Sequence, residues 1–401
     1  MNTFSVLQKK QSNIYKLKNV LLGGFLVRLV VFVFIFTIGL TFSEPYFLSD
    51  DISYEQLAKY YMLNANSVLD LDLFDRMTVG YMQQFWPFVE CFCAKLFNNM
   101  YAARVVNILL STACIAVIYK LTYEVCENEA TSLRAAKLFA YLPISVLTCC
   151  FPIKDIYITL GVMYAFYTFV CIQNGKKITL KQIVLCVALL VGVYLSRGAV
   201  VELLLIFLFI YYLQKLMRQK KNIQAVLLIV IAVIIFLFFS KTIFSSFQTK
   251  YDDYSGYEGT GEGIEFIRVT GLSNIYKLPL AYAFATIQPM KLNLFTVDDN
   301  IWLAIISYAN MTIYPIAVGN FLYVFSKKHN LFFWLSSFVM FSGVIMLSLG
   351  IFRHYLFMIP ITMINYSLYI ERDPHNNTTF SNVGALVLII IILLASALNI
   401  F

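Results

Sequence analysis

The feature that most constrains this chain is a recurring block of about 17–25 apolar residues, the length that crosses the hydrocarbon core of a bilayer as a helix. The blocks fall at about 18–42, 102–125, 133–150, 156–173, 180–196, 199–217, 223–243, 301–325, 331–349, 353–370 and 382–400. A backbone inside hydrocarbon must satisfy its own polar groups, which a helix does. The spacing therefore predicts an all-α, polytopic integral membrane protein of about eleven transmembrane helices, with 1–401 forming a single membrane domain. Composition agrees. Of 401 residues, 60% are hydrophobic and 13% are charged, about half the charged share of a soluble domain. The first block is too long for a signal peptide and lacks a small-residue cleavage site, so it is expected to stay as an uncleaved anchor.

The net charge of +8 would suit a nucleic-acid binder. Its distribution points to membrane orientation instead, because Lys and Arg collect in short cytoplasmic loops. With the N-terminus inside, sixteen fall in cytoplasmic segments, among them Lys9, Lys10, Lys176, Lys177, Lys327 and Lys328. The short outside connections hold three: Lys154, Arg197 and Arg353. No nucleic-acid partner is expected. The chain is placed in the cell membrane, multi-pass, with a cytoplasmic N-terminus. Arg28, within the first block, is read as snorkelling to the cytoplasmic surface.

The eight cysteines give neither a disulfide framework nor zinc-site spacing. Five lie within spans, where a thiol serves as a small hydrophobe. Cys91 and Cys93 are too close together for an ordinary disulfide.

Two long segments face outside. The first, 43–101, carries helix-period stretches near 53–65 and 82–98. The second stretch, with Phe85, Trp86, Phe88, Phe92 and Leu96, reads as an amphipathic interfacial helix with aromatic residues at headgroup level. The other long segment, 245–300, opens with a polar, Gly-rich run from Tyr251 to Gly263 that cannot form a packed core. Its apolar part near 278–294, broken by Pro279 and Pro289, reads as a short interfacial or re-entrant element.

Sixteen of the twenty-two acidic residues are outside, and long polar loops account for most of them. Charges at short helix junctions need another reason. Asp50 and Asp51 follow the first span, with Tyr54 one turn later. Lys154 and Asp155 occupy a connection of a few residues after Pro152. Arg197 sits between the fifth and sixth spans, Glu202 lies within the sixth, and Arg353 with His354 opens the tenth. Ionisable groups at the bilayer edge are costly and face a partner or a water-filled cavity. Lys154, Arg197 and Arg353 also run against the positive-inside rule. Acids and cations gathered at a membrane surface fit transfer of a sugar from a polyprenyl-phosphate carrier. The leaving phosphate needs fixed cations, and the acceptor hydroxyl needs a carboxylate base. A nearby carboxylate also stabilises an oxocarbenium-like transition state.

The order of these residues resembles the GT-C class of membrane glycosyltransferases, particularly bacterial relatives of the protein mannosyltransferases and the lipid A aminoarabinose transferases. The resemblance runs over about 18–370. It rests on Asp50-Asp51-Ile-Ser-Tyr54 after the first span and on Ala103-Arg104-Val-Val-Asn107 opening the second. Leu142-Pro143, Phe151-Pro-Ile-Lys-Asp155 and Arg353-His-Tyr355 with Pro360 complete it. It implies a fold with amphipathic helices in the first outer loop and an active site on the outer face. Asp50 would be the catalytic base and Asp51 the supporting acid. Tyr54, Lys154, Asp155, Arg197, Glu202, Arg353 and His354 would bind substrate, with Arg353 on the donor phosphate. The partners implied are a polyprenyl-phosphate-linked sugar donor, a glycan or glycolipid acceptor and the lipid bilayer. No cofactor is expected. Asp252-Asp253 lacks the repeated ligands of a Ca²⁺ loop, so no metal site is assigned.

Two other functions share part of this pattern. A polysaccharide polymerase joining lipid-linked repeat units also needs many spans and outward Arg residues, but has no need of the acid-acid-x-x-Tyr pair. A lipid-linked sugar transporter would place its charges near the midplane, often between internal repeats; here they lie at one surface and no repeat is present.

Overall fold

The computed structural model describes residues 3–41, 49–78, 84–231, 311–326, 330–337 and 356–397, with single positions at 276, 305, 309 and 339. Every regular element among the described residues is a helix. In chain order these are α1 (Thr3–Thr41), α2 (Ser49–Asn64), α3 (Leu71–Met77), α4 (Phe85–Phe97), α5 (Ala102–Cys126), α6 (Glu129–Tyr141) and α7 (Pro143–Thr148). There follow α8 (Asp155–Gln173), α9 (Leu180–Arg218), α10 (Asn222–Ile231), α11 (Tyr314–Val324), α12 (Ile359–Arg372) and α13 (Pro374–Ala397). Among the described residues, four runs are long and apolar enough to cross a membrane: Tyr15–Ile38, Ala102–Cys126, Asp155–Gln173 and Leu180–Arg218.

The last of these is two arms, as the polar break at Ser196-Arg197 predicts. A straight helix from 180 to 215 would extend about 50 Å. Yet Lys215 bonds Gln173, which lies just before the start of α9. Along the first arm, Tyr157 of α8 donates to Leu189 O at 3.1 Å, and Gly161 abuts Val193. Along the second, Phe166 meets Phe207 edge-on at 5.1 Å and Phe169 meets Tyr211 edge-on at 5.7 Å. The first arm begins only six residues after α8 ends at Gln173, and at its close Arg197 pairs with Asp155 at the start of α8, so this arm runs antiparallel to α8; the second arm runs parallel to it, and the chain turns back at Arg197. Its backbone there is extended, at φ −161° and ψ 82°. Gly161 and Gly192 let the first arm approach α8 closely, since an added Cβ would strike Val193 and the Tyr157 hydroxyl respectively.

The block expected as one span over 133–150 is instead two short helices. Pro143 has no N–H and forces Leu142 out of the helical region, to φ −65° and ψ 126°. The carbonyls of Phe139 and Ala140 thereby lose their normal i+4 donors. Arg28 replaces them. It donates to Phe139 O at 2.9 Å, Ala140 O at 2.7 Å, Gly24 O at 3.0 Å and Ser111 Oγ at 2.9 Å. Its exposure is 0%, so it does not snorkel; it is a buried cap on a broken helix, placed near the middle of α5 by its bond to Ser111.

These contacts give the bundle two distinct ends. At one, Lys176 pairs with Glu124 at 2.7 Å, Thr131 donates to Glu371 at 2.6 Å, and Arg372 donates to Ser326 at 2.7 Å. At the other lie the starts of α5 and α8, the turn at Arg197, and the layer α2–α4. That layer has a small core of its own in Tyr61, Ala65, Phe74 and Cys91. α2 and α4 match the two predicted helix-period stretches. Trp86 differs from expectation: it is fully buried against protein, since its indole N–H finds partners in Glu90 and Pro152 O.

Candidate functional site

The site is built at the α2–α4 end. Asp51 and Glu55 stand four residues apart on α2 and so share a face. Both are fully buried. Arg104, in the first turn of α5, donates to Glu55 through Nε at 2.6 Å and Nη2 at 3.0 Å, the planar fork matching a carboxylate. One turn further along α5, Asn107 donates to Phe151 O at 2.8 Å and Ile153 O at 3.0 Å. It thus pins the Phe151–Asp155 connection against the start of α5.

That connection delivers Lys154 and Asp155. Lys154 Nζ lies 3.2 Å from the Tyr54 hydroxyl, which accepts its hydrogen bond, and 5.9 Å from the centre of that ring. At 4% exposure Lys154 is packed beneath α2. Asp155 Oδ1 pairs with Arg197 Nη1 at 3.0 Å. The extended backbone at the turn presents the Arg197 guanidinium to the first turn of α8. The neighbour in sequence, Glu202, is half-buried and forms no ion pair with Arg197.

α4 closes the cluster. Glu90 is fully buried, and its Oε1 accepts from Trp86 Nε1 at 2.5 Å. Its Oε2 has no hydrogen-bond partner among the described residues. Burial, reinforced by the nearby charges of Glu55 and Asp51, pushes its carboxyl well above the usual value of 4.5. Two neighbouring thiols respond to the same environment: burial and then Glu90 raise Cys91 strongly and bring Cys93 to about 11.

Of the residues singled out in the sequence, Asp51, Tyr54, Lys154, Asp155 and Arg197 come together here. Asp50 belongs to α2, but its side chain lies outside the described residues, as do Arg353 and His354. The loop 245–300, except Tyr276, is also outside them. Sequence reasoning passed over Glu55, Glu90, Arg104 and Asn107 as site residues. The i, i+4 spacing of Asp51 with Glu55, and the i, i+3 spacing of Arg104 with Asn107, were the available signals. Among the described residues no group of His, Cys, Asp and Glu could hold a metal ion.

Fold and site together define an all-helical chain with several helices of membrane-crossing length and a buried acid–cation cluster at one end of the bundle. Compared with known protein families, curated proteins and solved structures, the chain matches none.

Proposed function

We propose that this chain is an integral membrane glycosyltransferase resembling the GT-C class. It has about eleven spans and a cytoplasmic N-terminus. On the non-cytoplasmic face it moves a sugar from a polyprenyl-phosphate-linked donor to a cell-surface polysaccharide or glycolipid acceptor. The observation that carries this reading is the convergence of Asp51, Glu55, Arg104, Lys154, Asp155 and Arg197 at the bundle end opposite Lys176 and Arg372. The positive-inside rule assigns the Lys176 end to the cytoplasm.

In this reading Lys154, Arg197 and Arg353 receive the donor phosphate. Tyr54 orients the Lys154 ammonium, and Asp155 orients the Arg197 guanidinium at 3.0 Å. His354 and Glu202 complete the substrate contacts. Asp50 removes the proton of the acceptor hydroxyl as general base. Asp51, buried beside the Glu55–Arg104 pair, supports it. No metal ion or cofactor enters the scheme.

The test is mass spectrometry of surface glycans and lipid-linked sugars from cells lacking the protein. The reading expects an accumulated polyprenyl-phosphate sugar and a glycan missing that one residue. Accumulation of complete lipid-linked repeat units would indicate the polymerase instead. Unchanged glycans and lipids would remove the proposal.

A further inference from the structure

Among the described residues Glu90 forms no ion pair, whereas Glu55 pairs with Arg104 and Asp155 with Arg197. From α2 it faces Asp51 and Glu55; from α5 it faces Arg104, whose fork is engaged by Glu55; on its own helix it faces the thiols of Cys91 and Cys93. The connection before α8 brings it the Pro152 carbonyl, which shares the Trp86 N–H. A third ionised carboxylate would add an uncompensated charge in a fully buried place, which carries a large desolvation cost. Its hydrogen bonding also does not suit an ionised group. One oxygen accepts the indole N–H at 2.5 Å, while the other has no donor directed at it among the described residues. An ionised carboxylate buried this deeply would need donors at both oxygens.

We propose that Glu90 is a proton-holding positioning residue: it keeps its proton at neutral pH and thereby leaves Asp51 and Glu55 as the ionised carboxylates around Arg104. The proton then sits on α4, on a carboxyl that forms no ion pair among the described residues. The significance for catalysis rests on the glycosyltransferase reading, in which an ionised α2 carboxylate is required. The protonation state itself does not depend on it. Trp86 is the built-in reporter, because its N–H bonds the carboxyl directly.

The experiment is infrared difference spectroscopy of the full-length protein in lipid nanodiscs at pH 7, wild type minus Glu90→Gln. The expected result is the loss of one protonated-carboxyl C=O band, with the ionised-carboxylate bands unchanged. Loss of an ionised-carboxylate band instead would overturn the proposal. Should Glu90→Gln not fold, the protein with Glu90 intact decides. Its tryptophan emission, with Trp86→Phe subtracted to isolate Trp86 from Trp302 and Trp334, should stay constant from pH 5 to 7 and shift only at higher pH. A shift completed below pH 6 would show that Glu90 ionises as an ordinary carboxyl and would equally overturn it. Neither measurement involves sugar transfer, so an inactive preparation with the Glu90 band intact would count against the enzyme reading alone.

Discussion

Arg104 donates to both carboxylate oxygens of Glu55, at 2.6 and 3.0 Å, and neither side chain reaches solvent. This pair ties the second turn of α2 to the first turn of α5 and fixes the depth at which Asp51 sits. A buried ion pair need not be a net stabiliser, but removing one partner strands the other.

Glu55→Gln should therefore cost about 3–5 kcal/mol of stability. The double change Glu55→Met with Arg104→Met should recover most of it, because apolar replacement of both partners removes the stranded charge. Thermal unfolding in detergent measures both. A single variant within about 0.5 kcal/mol of wild type, the range of an ordinary surface change, would show that the pair is not the tie described.

Arg28 makes a second, more specific prediction. Its bonds to Phe139 O and Ala140 O exist because Pro143 removes a helix donor. Arg28→Met should lower stability by about 1.5–3 kcal/mol for each charged hydrogen bond that nothing replaces. Adding Pro143→Ala restores an N–H that can bond Phe139 O, so the double variant should be more stable than Arg28→Met alone. If Pro143→Ala makes no difference in that background, the capping role fails.

The fold-back at Arg197 predicts sidedness. Cysteines introduced at Asn66 and Gly198 should label from one side of the membrane and a cysteine at Lys177 from the other. The native thiols are buried or half-buried and should react slowly with an impermeant reagent. Labelling of positions 177 and 198 from the same side would mean that the first arm does not cross the membrane, and labelling of 177 and of a cysteine at Lys220 from opposite sides would mean that α9 does not turn back.

Glu90 gives a pH dependence with a definite sign. Its native carboxyl titrates above the unfolded value near 4.5, so between those limits the native state holds a proton that the unfolded chain has released. Its contribution to stability is full below about 4.5 and is lost as pH rises through the native value. Chemical denaturation across that range should show a smaller decline for Glu90→Gln than for wild type. Equal declines would assign the effect to other groups.

Much of the architecture was legible in residue pattern. Apolar blocks located α1, α5 and α8, and the Ser196-Arg197-Gly198 break located the turn in α9. The break at Pro143 was not read as one, because Leu142 and Pro143 sit in an otherwise apolar run whose length matches a span. For the site, charges at short junctions identified Asp51, Lys154, Asp155 and Arg197. Glu55 and Glu90 were hidden among the many acids of the long first segment, where a solvated carboxylate is the ordinary case. Only packing distinguishes them: α4 lies against α2 and α5, and buries both. Arg28 was misjudged because its partners are backbone carbonyls, which a sequence pattern does not display.

The central claim is sugar transfer driven by an α2 carboxylate, and General-base catalysis of this kind typically contributes about 10²–10⁴-fold. The most direct measurement uses purified protein in nanodiscs, supplied with the lipid extract of cells lacking it and with the acceptor glycan from those cells. Consumption of the polyprenyl-phosphate sugar is followed by mass spectrometry. Wild type should consume it, Asp51→Asn should be slower, and Asp50→Asn should be folded and close to inactive. Consumption by Asp50→Asn at the wild-type rate, or no consumption by wild type, would contradict the account.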